Sequence, residues 1–413
     1  MDHHTTVIIG AGQAGLAMSQ VLSAHSVDHV VLERGEVANS WRKDRWDSLR
    51  LLTPNWQSRL PGDAHDETDP DGFMASAEVA ARLAAYTSGF GLPVQTGTDV
   101  MSATSDPAGY RVGTNRGDLT CANLVVASGA CVTASVPAAK AALPSGIHSA
   151  TPLTYKRPSD LPEGGVLVVG ASATGLQLAR EIHASGRPVT LAVGEHVRAP
   201  RRYRGRDIQW WMDASGLQDT GYREVDDLDR VRRLPSMQLV AGSDTLDLNV
   251  LQAMGVRVAG RLTMIRDGHA LFSGALANHC ALADLKMNRL LDAVDAFAIK
   301  AGLAGETDPP ERFAPTAVPD APLLDLDFAR GEIRTVLWAT GYRPDHSWLD
   351  LPVFDRKGRL LHDGGVVTGA PGLYALGLPF LRRRKSTLID GAGADARDLA
   401  HHMLARLADR QAA

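Results

Sequence analysis

The sequence predicts an α/β protein made of two dinucleotide-binding, Rossmann-like domains, the second inserted into the first. Three observations predict it. Val7-Ile8-Ile9 reads as a buried strand, and Gly10, Gly12 and Gly15 follow it at the G-x-G-x-x-G spacing. About 160 residues later Val166-Leu167-Val168-Val169 leads into Gly170-Ala171-Ser172-Ala173-Thr174-Gly175, the same unit with serine at the second glycine. Proline-bearing stretches at 132–145 and 308–322 mark a crossing out of the first unit and a return to it. The expected domains are therefore 1–143 with 321–413, and 144–320 as the insert. A chain of 413 residues suits two cores better than one.

The opening unit has the chemistry that a pyrophosphate needs. Leu16 to Leu22 can continue as a helix, whose N-terminus offers free N–H groups and partial positive charge. Gly10 allows the tight turn, Gly12 lets backbone approach phosphate, and Gly15 lets helix and strand pack closely. Gln13 and Ala14 lie between them and join the site. His29-Val30-Val31-Leu32 is the next strand; Glu33 ends it where an acid binds a ribose hydroxyl, with Arg34 beside it. The stretch Ser40-Trp41-Arg42-Lys43-Asp44-Arg45-Trp46 is either a solvated helix face or a loop running along the ligand. Leu51-Leu52-Thr53-Pro54-Asn55-Trp56 breaks at Pro54, and Trp56 packs on that proline or on a ligand ring. Residues 63–72 read as an exposed acidic loop, and Ser76 as the cap of a helix over 77–86, with Glu78 in its first turn.

Short strands and turns are expected over 94–112, around Val100. Leu124-Val125-Val126 is a further buried strand, and the small residues Ser128 and Gly129 after it let backbone come close to a ligand. In the second unit, Ser172 can donate a hydrogen bond to phosphate. Its next strand, Val189-Thr190-Leu191-Ala192-Val193, puts Val193 where Glu33 stands in the first, with Glu195 two places on. Arg198, Arg201, Arg202, Arg204 and Arg206 follow. Arginines there suit a 2′-phosphate and an acid suits a free 2′-hydroxyl. The reading leans to NADPH, with NADH open and a salt-bridge cluster as the alternative role for the arginines.

Gln209-Trp210-Trp211-Met212 reads as packing. Residues 282–299 read as a helix whose core face is Leu282, Leu285, Leu290, Leu291, Val294 and Phe297. Val336 to Pro344 mirrors the earlier strand from Val125 to Gly129. Gly372 to Leu378 is another short strand, and Asp390-Gly391-Ala392-Gly393 precedes a last helix over 394–408 whose positive end can face an electron-rich ring. The run Arg382-Arg383-Arg384-Lys385 is either surface or an attraction for cofactor phosphates.

Composition removes several classes. A net charge of −4 gives no general attraction to nucleic acid or to an anionic membrane. No apolar run reaches 18 residues, and the first apolar stretch belongs to the glycine turn, so neither a spanning segment nor a signal peptide is expected. Three scattered cysteines form no C-x-x-C and no zinc spacing. A reducing, cytoplasmic setting is expected. Electron transfer through a paired redox disulfide is not.

In this order the motifs resemble the flavin-containing monooxygenases (class B flavoprotein monooxygenases), more closely their short bacterial relatives. The resemblance rests on the two glycine turns, Glu33, Trp41-Arg42, Ser128-Gly129 and Ala339-Thr340-Gly341-Tyr342, and spans nearly the whole chain. It implies FAD in the outer domain, NADPH or NADH in the insert, and Ala339 to Tyr342 as the link between them. Two features depart from it. The family's F-x-G-x-x-x-H stretch survives only as Gly146-Ile147-His148-Ser149. Aligning Ser48-Leu49-Arg50-Leu51-Leu52-Thr53 with the family's Ser-Leu-x-x-Asn-Thr puts Leu52 where an asparagine supports oxygenated flavin.

The implied activity is transfer of one oxygen atom from O2, through a C4a-peroxyflavin, to a small sulfide, amine or ketone. The alternative is an FAD-dependent NAD(P)H oxidase or reductase without oxygen insertion, which Leu52 favours. A non-catalytic binding protein is a third reading, opposed by the complete pair of turns. No catalytic side chain is assigned, because the cofactor carries the chemistry. The expected partners are the small substrate and O2, with a homodimer left open and no metal.

Overall fold

The computed structural model describes residues 2–63 and 68–412, so part of the expected loop at 63–72 lies outside the described residues. The chain opens with β1 (Asp2–Ile9), α1 (Gln13–Ala24), β2 (His29–Leu32), α2 (Asn39–Lys43), α3 (Ser76–Gly89) and β3 (Val94–Gln95). An antiparallel meander follows: β4 (Val100–Asp106), β5 (Gly109–Thr114) and β6 (Gly117–Val126). Next, β7 (Thr133–Ala134) leaves this sheet.

The insert contains β8 (His148–Ala150), β9 (Gly165–Val169), α4 (Ala173–Ala184) and β10 (Val189–Ala192). Short pieces come next: β11 (Val197–Arg198), β12 (Arg202–Tyr203), β13 (Arg206–Asp207), α5 (Ile208–Ala214), α6 (Leu228–Arg232), β14 (Met237–Gln238) and α7 (Leu248–Met254). It is completed by β15 (Arg257–Ala259), β16 (Leu262–Arg266), β17 (His269–Phe272), α8 (Leu276–Lys300), β18 (Asp325–Asp327) and β19 (Ile333–Trp338). The chain returns through β20 (Tyr342–Arg343) to β21 (His362–Asp363), β22 (Val366–Val367), β23 (Leu373–Ala375) and α9 (Ile389–Ala412).

Two parallel-cored sheets result, as the fold class predicts. The larger runs β21-β22-β23-β6-β1-β2-β3, and the second runs β15-β10-β9-β19-β8. Their centres are the apolar runs that the sequence singled out. Val7 and Ile8, like Val166, Leu167 and Val168, are wholly buried, as strands covered by helices on both faces must be. The two crossings meet: β7 and β20 pair antiparallel, Tyr342 opposite Ala134, so exit and return form one two-stranded strap. Ser135 N donates to the Gly341 carbonyl at 2.9 Å, and the Thr340 hydroxyl donates to Ser135 O at 2.5 Å.

Four expectations need correction. The insert does not end at 320: β19 pairs with both β8 and β9, so the return falls after it, at β20. The apolar run at 333–338 completes the second sheet as β6 completes the first. Ser76 is the first helical residue of α3, and the cap is Ala75, whose N–H donates to the Glu78 carboxylate at 2.6 Å. On α8 the buried stripe is Cys280, Ala283, Met287, Leu291, Val294 and Ala298, while Leu282 and Leu285 face outward. Residues 282 and 285 fall off the 3.6-residue stripe that 280, 283 and 287 define. Asp390 to Gly393 lie inside α9, which starts at Ile389.

Candidate functional site

The first turn is built by close backbone contacts. Gly10 has φ +105, and a Cβ on it would sit 2.5 Å from the Ala127 carbonyl that follows β6. A Cβ on Gly15 would sit 1.9 Å from the Gly10 carbonyl, so only glycine lets α1 lie against β1. Gly12 is different: a Cβ there meets nothing within 4 Å. Gly12 caps α1 without a side-chain acceptor, so the first N–H groups of the helix point into open space.

Two adjoining cavities, of about 390 Å³ and 150 Å³, lie at the carboxyl ends of β1, β2 and β6. Gly10, Glu33, Arg34 and Ser128 line both. Val100 lines the larger; Gly12, Gln13, Ala14, Ser40, Trp41 and Gly129 line the smaller. Glu33 is buried, and its carboxylate accepts from Ala11 N at 2.9 Å and Gly35 N at 3.0 Å, fixing the turn that it faces. Trp41 Nε1 donates to Gln13 Oε1 at 3.3 Å, tying α2 to the start of α1. Ser128 Oγ and Asn39 Oδ1, both lining the smaller cavity, are buried without a hydrogen-bond partner among the described residues. Unpaired polar atoms facing a concave site call for a polar ligand.

The structure moves several expected residues elsewhere. Arg42 turns back along its own loop, donating to Val37 O at 3.1 Å and pairing with Glu36, and Arg45 takes the cavity wall instead. Leu52 and Thr53 line neither cavity. Leu52 packs against the insert's Ala199 and Tyr203 cluster, and its carbonyl accepts from Arg201. Asp390 sits in the first turn of α9, 3.3 Å from Lys385 Nζ, while Gly377 and Thr387 reach the smaller cavity.

The second turn repeats the first. Gly170 has φ +108 and packs on the Ala339 carbonyl after β19, and a Cβ on Gly175 would sit 1.9 Å from the Gly170 carbonyl. Ser172 has φ −82 and ψ −176, against −84 and −176 for Gly12. Gly170 N donates to Ala192 O at 2.9 Å as Gly10 N donates to Leu32 O at 2.8 Å. The Ser172 hydroxyl makes no capping bond to the helix. Thr174 hydrogen-bonds the Tyr342 phenol, whose pKa burial pushes up. Gln238, wholly buried, donates to Ala171 O at 2.7 Å, and its Oε1 has no hydrogen-bond partner among the described residues.

The two arginines chosen for a 2′-phosphate are engaged inside the protein. Arg198 is buried and holds Asp247 through Nη2 and Asp284 through Nη1, both at 2.7 Å, and the Ala314 carbonyl at 2.8 Å. Arg201 is wholly buried. It pairs with Asp207, donates to Leu52 O at 2.7 Å and lies 4.5 Å over the Phe73 ring, joining insert to outer domain. The basic run at 382–385 is likewise engaged: Arg382 pairs with Asp398, and Arg384 donates to Leu217 O at 3.2 Å. Arg383 meets Asp395 and Asp398, and Lys385 meets Asp219 of the insert at 3.0 Å.

Sequence reading missed Asn39, Gly377, Thr387 and Gln238, which carry no motif, and weighed Arg42 where Arg45 stands. The three thiols are free. Burial raises all of them, Cys121 to about 12 and Cys280 to about 11. Among the described residues no cluster of His, Cys, Asp and Glu could hold a metal, and no helix is long and apolar enough to cross a membrane.

Comparison with known proteins agrees with this architecture. The pyridine nucleotide-disulphide oxidoreductase family matches over residues 7–213. A CzcO-like oxidoreductase of Geobacillus kaustophilus is 30% identical over 408 residues, 98% of this chain and 99% of that protein. The indole-3-pyruvate monooxygenase YUCCA1 of Oryza sativa subsp. japonica is 30% identical over 48% of this chain and 50% of its own length. A flavin-containing monooxygenase from Stenotrophomonas maltophilia superposes with a TM-score of 0.62 at 21% identity, covering 98% of this chain and all of that one. The resemblance read from the motifs is thereby borne out for the fold.

Proposed function

The chain belongs to the pyridine nucleotide-disulphide oxidoreductase family, and from that premise we propose that it is a flavin-dependent monooxygenase. It uses FAD at the first turn and NADPH or NADH at the second. The observation that carries the proposal is the repeat: two phosphate turns with matching backbone angles, on two sheets, joined by one strap. Gly10, Gly12, Glu33, Ser40, Trp41, Ser128 and Gly129 hold the flavin nucleotide. Gly170, Ser172, Thr174 and Gly175 hold the nicotinamide one. The open face of Gly12 and the unpaired Ser128 and Asn39 oxygens fit a pyrophosphate and ribose. Cys121, Cys131 and Cys280 are all free, so the proposal routes no electrons through a paired disulfide.

FAD, when bound, supplies hydride acceptance and the activation of O2. The chain's own work is positional. The α1 N-terminus neutralises phosphate charge, Glu33 fixes the turn, and the strap of β7 and β20 holds the second turn close to the first cavities. The balanced reaction is sulfide plus O2, NAD(P)H and a proton giving sulfoxide, water and NAD(P)+. A second reading, NAD(P)H oxidation by O2 to hydrogen peroxide, is favoured by one observation: Leu52 is aliphatic, half-buried and packed against the insert's core.

The test is direct. The yellow protein is bleached anaerobically with NADPH or NADH, then given air and methyl phenyl sulfide. Sulfoxide formed in proportion to coenzyme consumed supports the monooxygenase. Complete recovery of the electrons as peroxide across sulfide, amine and ketone panels supports the oxidase and removes the first reading.

A further inference from the structure

The two nucleotide units can be superposed residue by residue through their hydrogen bonds. Glu33 N donates to Gln95 O at 3.0 Å, and Val193 N donates to Ala259 O at 2.9 Å. Leu32 is opposite Gln95 and Ala192 is opposite Ala259. Glu33 therefore corresponds to Val193, Arg34 to Gly194, and, two residues beyond the paired strands, Gly97 to Arg261. The arginine has changed strands: the first unit carries it after β2 and a glycine after β3, and the second carries the reverse.

The exchange has a steric side. A Cβ built on Gly194 would lie 3.7 Å from Arg261 Cγ and 3.8 Å from its Cδ, so the Arg261 stem lies over the glycine. It has an electrostatic side too. Val193 is fully buried and offers no acceptor for a 2′-hydroxyl and no charge against a 2′-phosphate. Glu195, two residues beyond Val193, is paired with Lys286 at 3.0 Å. Arg261 is exposed; its carbonyl accepts from Ser273 N at 2.8 Å, while its guanidinium makes no ion pair or hydrogen bond among the described residues. The arginines that follow β10 in sequence are engaged elsewhere: Arg198, Arg201 and Arg204 each hold a carboxylate.

We propose that Arg261, reaching across Gly194, reads the 2′-phosphate of the nicotinamide coenzyme and makes the protein selective for NADPH over NADH. The inference rests on the second turn being the nicotinamide site. It assigns the selectivity to the strand opposite the one that follows the turn.

Binding of NADP+ and NAD+ to the FAD-loaded protein, followed by titration calorimetry, tests it without turnover. A charge-assisted bond to phosphate predicts that Arg261→Gln weakens NADP+ by about 10- to 100-fold and leaves NAD+ within about twofold. Arg261→Lys keeps part of the preference. Arg202→Gln, on an exposed neighbour that folds back on Gly205 O, leaves it intact. Equal losses for both coenzymes, an unchanged NADP+ affinity, or a wild-type protein that binds NAD+ as tightly as NADP+ would each overturn the assignment to Arg261 alone. A protein that binds neither coenzyme overturns the nicotinamide site itself, and this inference with it.

Discussion

Replacing the glycines of the first turn one at a time separates what they do for the fold from what they do for the ligand. In Gly15→Ala the new methyl would start 1.9 Å from the Gly10 carbonyl, where ordinary contact needs at least 3.4 Å, so α1 must move away from β1 by roughly 1.5 Å. Overpacking of this kind costs about 1–3 kcal/mol. At roughly 2–4 °C per kcal/mol, the melting temperature of the apoprotein falls by several degrees. In Gly12→Ala the methyl meets nothing within 4 Å and the backbone stays extended, so the apoprotein melts within about 2 °C of wild type. Yet that methyl stands at the mouth of the helix, in the space a pyrophosphate would fill. FAD affinity therefore falls by about 100-fold, or roughly 2.7 kcal/mol. The assay is thermal melting of apoprotein with and without added FAD, beside the fraction of FAD retained through gel filtration. Full FAD retention by Gly12→Ala, or a Gly15→Ala apoprotein as stable as wild type, would refute the reasoning.

Three further outcomes are expected. Arg198→Met leaves the buried Asp247 and the partly buried Asp284 without their counter-charge and destabilises the insert by about 3–5 kcal/mol, while the ratio of NADP+ to NAD+ affinity stays as in wild type; a changed ratio by calorimetry would return Arg198 to the coenzyme site. Arg201→Lys does not restore what Arg201→Met loses, because one ammonium cannot serve Asp207, the Leu52 carbonyl and the Phe73 face together, and both variants show earlier proteolysis between the domains. Burial, with Arg232 adding to it, holds the His362 imidazole down at about 4, and its Nδ1 accepts from Gly365 N at 3.2 Å. That folded value lies below the ordinary value of about 6.5. The neutral ring's contribution is therefore complete above about pH 6.5 and is lost as pH falls toward 4. Melting curves between pH 7 and 4.5 lose about 1–3 kcal/mol from this group, and His362→Gln flattens that slope.

What this sequence settled by itself is local. Glycine spacing after an apolar run is a statement about backbone sterics over six residues, and both turns formed where the spacing put them, with Glu33 and Ser128 at the cavity they open onto. The tertiary structure alone decided which charges are free. Arg198 finds its carboxylates 49 and 86 residues away, and Arg201 finds a carbonyl 149 residues away; a run of arginines contains no information about such partners. It also decided that residues 333–338 complete the second sheet, that Leu282 and Leu285 face outward, and that Arg261 lies over Gly194. Pairing between distant strands and the burial of one helix face depend on what packs against them, and packing is a property of the whole chain.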